Sequence, residues 1–160
     1  GPENPVYRSH GEVVQDILRA AREQLQLVRD VKLARSLGKS PEAAVPRQAP
    51  FWRSNLTIAN MRGNIDAVGR IMRDSGIGAL LPADSAWLTD NFAFAIKAAD
   101  GALTAVAGSG KPWEGAVRDP RLYGKLAYTE LPLGDAIEIL ETRIPTAFNL
   151  VTGFNTLDGD

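Results

Sequence analysis

The chain has 160 residues, 44% hydrophobic and 23% charged, with a net charge of −1 and no cysteine. That length fits one domain with a real core, and the even charge balance provides no basic field for nucleic acid or anionic lipid. Without cysteine there is no disulfide, thiolate metal site or cysteine nucleophile, and no apolar run approaches the ~20 residues of a membrane span.

The first helix is expected over about Pro5 to Leu37. Val14, Leu18, Ala21, Leu25 and Val28 step by alternating threes and fours, the narrow seam of a packed helix. Arg29, Lys32 and Arg35 suit its negative C-terminal end, and Gly38 follows as a stop. The chain opens on Gly1-Pro2, which reads as the scar of a tag-cleaving protease.

Residues 39–53 carry Pro41, Pro46 and Pro50 and form a connection. A second helix is expected from Asn55 to Asp74, with Ile58, Met61, Ile65, Val68 and Met72 on its apolar side. Gly63 and Gly69 lie inside it, each costing about 1 kcal/mol against alanine; close approach of a neighbouring helix would account for them. Ser54 is the expected cap, with Phe51 or Trp52 as a hydrophobic staple.

A third helix is expected to start at a cap on Asp84 or Ser85 and to reach Ala107, with Leu88, Phe92, Ala95, Ala99 and Val106 inward. Residues 108–118 read as a loop, and Asp119-Pro120 as a helix start with the carboxylate as cap and proline at the first position. The last stretch places Leu122, Leu126, Leu133, Ile137, Leu140 and Ile144 on one side. Pro132 should kink or divide it, and Pro145 threatens a second kink. The expected fold is therefore all-α: an antiparallel four-helix bundle with a kinked last helix and a short irregular tail from Gly153, as a single domain over 1–160.

Few residues carry recognisable catalytic chemistry. His10 is the only histidine, and His-Glu-x-x-His and Gly-x-His-x-x-Glu are both absent, so no zinc or iron site is expected from this chain alone. There is no Gly-x-Ser-x-Gly elbow. Gly108-Ser109-Gly110-Lys111 fails as a phosphate loop: Ala105 stands at the first required glycine, Pro112 replaces Ser or Thr, and a helix precedes it. Asp158-Gly159-Asp160 concentrates carboxylates, but too few for a calcium loop.

Two blocks are more specific: Phe51-Trp52-Arg53-Ser54-Asn55-Leu56-Thr57-Ile58-Ala59-Asn60-Met61-Arg62-Gly63-Asn64, and Gly153-Phe154-Asn155-Thr156-Leu157-Asp158-Gly159-Asp160. With the helix pattern around them, they resemble the C-terminal half of the imelysin-like family, iron-regulated bacterial envelope proteins nominally classed as metallopeptidases. The resemblance implies two related helical bundles in the complete protein, a site between them, and a role in iron or haem acquisition in the periplasm or at the cell surface. An upstream lipid anchor is compatible with it.

The residues that match the family pattern are Trp52, Arg53, Ser54, Asn60, Arg62, Gly153, Phe154, Asn155, Asp158, Gly159 and Asp160, the candidates for an inter-bundle or ligand-facing surface. The family's Gly-x-His-x-x-Glu belongs to the N-terminal half, so this chain is expected to be non-catalytic by itself and to bind that half or itself. Two other readings stand beside it: a fragment of a metallopeptidase whose metal site lies in the other half, and a helical adaptor for another protein.

Overall fold

The computed structural model describes residues 9–150, and among them every regular element is helical. Helix α1 covers residues 10–37. It begins as His10–Gln26, widens into π-type turns over Leu27–Ala34 and closes with Arg35–Leu37. Its cap is Ser9, in an extended conformation with the hydroxyl accepting from the Glu12 N–H at 3.3 Å. Among the described residues the helix starts at His10, after Ser9 in extended backbone; the expected start at Pro5 lies outside the described residues.

The wide turns of α1 explain a break in its sequence pattern. Leu18, Ala21, Leu25 and Val28 are buried, and the next buried position is Leu33, five residues on. A regular α-helix would rotate Leu33 away from that seam. The i→i+5 winding restores it to the core, followed by Ser36 and Leu37. Gly38 then ends the helix at φ 60°, where a Cβ would meet the Ala43 carbonyl oxygen at 2.7 Å. Position 38 therefore requires glycine on two counts.

Helix α2 is Thr57–Asp74 and helix α3 is Trp87–Ala107. Neither has a side-chain N-cap, which corrects the expected caps. Ser54 hydrogen-bonds to the Phe51 carbonyl at 3.1 Å, three residues before the helix. Asp84 and Ser85 lie in a separate 3₁₀ turn, Ala83–Ser85. The inward residues agree with the expected periodicity: Met61, Ile65, Val68 and Met72 on α2, and Leu88, Phe92, Ala95, Ala99 and Val106 on α3, to which the structure adds Leu103. Ile58 is only partly buried, and Thr57 takes the innermost place at that end, donating to the Pro50 carbonyl at 2.8 Å.

Helix α4, Pro120–Tyr128, starts at Asp119, whose carboxylate accepts from the Arg121 and Leu122 N–H groups. Helix α5 starts as Glu130–Glu138, passes through wide turns over Ile139–Arg143 and ends with Ile144–Ala147. The division lies at Thr129, which puts Pro132 in the first turn of α5, where a missing N–H costs little. Pro145 likewise follows a widened turn, which reduces the crowding proline would impose on regular α-helix.

Helix α3 packs against α2, α4 and α5, while α1 packs against α2 and α5. The inward faces form one apolar core that includes Leu25, Met61, Leu103, Leu126, Leu133 and Ile144. Trp113, in the helical turn Trp113–Ala116, is 1% exposed and joins it. Its indole N–H donates to the Pro46 carbonyl at 3.1 Å, fastening the 39–56 connection to the core.

Glu130 gives a test of the α1–α5 contact. It is half-buried, and burial pushes its carboxyl upward, with Asp30 reinforcing the shift and Arg29 opposing it. The folded chain therefore holds this proton to higher pH than the unfolded chain does. Stability should fall as pH rises from the ordinary carboxylate range through the raised value. Glu130→Gln should match wild type at about pH 4 and exceed it at about pH 7 in thermal unfolding.

Candidate functional site

The Phe51–Asn55 turn is the most unusual piece of backbone among the described residues. Phe51 and Asn55 adopt φ values of 61° and 56°, a left-handed conformation costly for a bulky aromatic residue. Phe51 is also 54% exposed, so its own packing does not account for the strain. The turn is closed by the Leu56 N–H donating to the Phe51 carbonyl and the Asn55 N–H to the Trp52 carbonyl. Asn55 then accepts from the Trp113 backbone N–H at 2.7 Å, a contact across 58 residues.

This geometry carries Trp52 to the edge of the core, half-buried. The Arg47 and Arg53 guanidinium carbons lie 5.2 and 4.9 Å from its ring centroid, within cation–π range. The result is an aromatic plate with two arginines, both exposed to solvent. Such a surface suits a carboxylate or a partner carrying acidic groups.

Asn60 and Arg62 turn to different neighbours, as a two-residue step on a helix requires. Asn60 accepts from Lys32 Nζ at 2.8 Å, tying α2 to α1. Burial lowers the Lys32 pKa, so this neutral partner serves an ammonium that is partly stripped of water. Arg62 instead donates to both carboxylate oxygens of Asp100 at 2.7 and 3.2 Å, tying α2 to α3. Arg62 holds its proton more firmly than usual because of that carboxylate. Gly153, Phe154, Asn155, Asp158, Gly159 and Asp160 lie outside the described residues.

Between α2 and α3 runs an open groove of about 790 Å³. Its apolar lining includes Ile65, Phe92, Ile96 and Ile144. Its polar lining has four cations, Arg62, Arg70, Arg73 and Lys97, against two carboxylates, Asp66 and Asp100. Arg62 pairs with Asp100, Arg70 with Asp66 at 3.1 Å, and Arg73 with Asp74 at 3.1 Å. Lys97 is exposed and has no such partner among the described residues.

Sequence periodicity gave no sign of this groove, because it depends on the gap between two helices. The two helix glycines were the available signal. Gly69 has a neighbour to approach, since a Cβ there would lie 3.3 Å from Ile96 Cγ2. Gly63 has nothing within 4 Å, so close packing does not explain it.

A second surface also escaped sequence reading. Phe94 is 74% exposed on α3, one turn before Ala98, which lines a shallow depression with Gly101, Ala105, Gly124 and Tyr128. Leu131, 65% exposed, follows Tyr128 by three residues. Helix α3 is thus apolar on an outward face as well as on its core face.

His10 is exposed at the first position of α1. Gly108 to Lys111 follow the end of α3, with Lys111 Nζ held 2.6 Å from the Asp119 carboxylate. Arg22 is half-buried and pairs with Glu141 at 3.4 Å. Among the described residues no group of three or more His, Asp or Glu is placed to hold a metal ion, and no helix is long and apolar enough to cross a membrane. Comparison with family models, with curated proteins and with solved structures finds no match to this chain.

Proposed function

We propose that this chain is the C-terminal helical domain of an imelysin-like envelope protein that takes part in iron or haem acquisition in the periplasm or at the cell surface. Its four long helical stretches are read as an antiparallel bundle, and its role as docking and ligand support without catalysis of its own. The observation that carries this reading is the Phe51–Asn55 turn. One of the two blocks that carry the resemblance is also where the backbone is strained and an aromatic–arginine plate meets solvent.

The proposed partner is the N-terminal bundle of the same protein. The outward surface that carries exposed Phe94, Tyr128 and Leu131 supports this, because exposed large apolar side chains supply contact area for a partner. Its small residues, Gly101 and Gly124 among them, leave room for a partner helix to come close. Any iron or haem ligands would come largely from that partner.

Deleting the gene should slow growth when haem or ferric iron is limiting, and the wild-type gene should restore it. Phe94→Asp combined with Trp52→Ala should restore growth poorly. The same double variant should lose association with the N-terminal bundle in light scattering, while its circular dichroism stays helical. Growth independent of iron supply in the deletion strain, or full rescue by the double variant, would count against the proposal.

A further inference from the structure

We infer that the α2–α3 groove is a binding site for a linear amphipathic carboxylate, a molecule with an alkyl body and one anionic end. The size is right for a small molecule: about 790 Å³ lies within the range of ligand-sized clefts. The shape is elongated. From Arg62 to Arg73 the wall follows α2 for about 16 Å at the helical rise. An alkyl chain fits such a trough better than a bulky ring system does.

The lining sorts chemically in the same way. Ile96 is the partly exposed apolar side chain of the lining, lying over the buried Ile65, Phe92 and Ile144, while the cations exceed the carboxylates by two. Among the described residues Lys97 is the free positive group of the lining, and Arg70 and Arg73 are held there only by exposed, readily exchanged carboxylates. A carboxylate can therefore gain a charge-assisted partner here without breaking the tighter two-point Arg62–Asp100 pair.

Gly63 makes the site more than an incidental gap. A glycine inside a helix weakens it, and this one has no neighbour whose approach it permits. What its missing side chain does leave is open space in the groove wall. The inference goes beyond the envelope-protein proposal and does not depend on it, since the groove lies within this chain and its residues include no histidine.

Isothermal titration calorimetry on the complete chain, with decanoate as probe, tests this directly. Decanol supplies the alkyl body without the charge, and acetate the charge without the body. Decanoate should bind saturably, decanol about tenfold more weakly, and acetate not at all. Lys97→Glu should weaken decanoate several-fold and leave decanol unchanged. Gly63→Leu should abolish binding of both while the thermal midpoint stays at or above wild type, because leucine is the better helix former. Equal binding of decanoate and decanol would overturn the anionic part of the inference. Absence of saturable decanoate binding, or full binding by Gly63→Leu, would overturn the site itself.

Discussion

Trp113→Ala should destabilise the folded chain by about 3–5 kcal/mol, a large part of the stability of a domain this size. The indole is 1% exposed, so its removal leaves a cavity where the core meets two connections. It also strands the Pro46 carbonyl that the indole N–H satisfies. Trp113→Phe separates the two contributions: it keeps most of the apolar volume and loses the hydrogen bond, for about 1–3 kcal/mol. Chemical denaturation measures both. Limited proteolysis should show the 39–56 connection cut faster in Trp113→Ala, because that connection is pinned through Pro46. A loss below about 1 kcal/mol for Trp113→Ala would mean that this tryptophan does not anchor the fold.

Asn55→Val should cost about 2–4 kcal/mol, through two effects at one residue. A β-branched side chain resists φ near 56°, and the Trp113 backbone N–H loses the amide oxygen that accepts from it. Asn55→Gly tolerates the angle and removes only the acceptor, so it should cost clearly less. Trp52→Ala is the informative comparison, since its ring is half-buried and flanked by exposed arginines. It should lower stability by about 1–2 kcal/mol yet impair partner association strongly, as truncating an aromatic anchor does. Denaturation curves together with light scattering against the proposed N-terminal bundle distinguish these roles. If Trp52→Ala were as destabilising as Asn55→Val and left association intact, the whole block would be architectural.

Most of the core was legible because helical burial repeats at short range. Leu122, Leu126, Leu133, Ile137, Leu140 and Ile144 were all assigned inward from spacing alone, and all are buried. Asp119-Pro120 was legible for the same reason: a cap and its first turn are made by adjacent residues. Helix starts at Thr57 and Trp87 were not, since both begin without a side-chain cap and so lack the local signature that marks a start. The seam of α1 was followed only to Val28, because its continuation at Leu33 needs a widened turn that a 3.6-residue period does not describe.

By itself, then, the sequence determined helical structure across the described residues and the inward face of each long helix. Those properties depend on residues within a turn or two of each other. Tertiary structure alone decided which polar residues meet: Lys32 with Asn60, Arg62 with Asp100, and Trp113 with Pro46, pairs separated by 28, 38 and 67 residues. It likewise decided that Asn60 and Arg62 turn to different helices, and that Gly63 opens onto a groove. Such pairings and gaps depend on how whole helices rotate and settle against one another, which no local periodicity encodes.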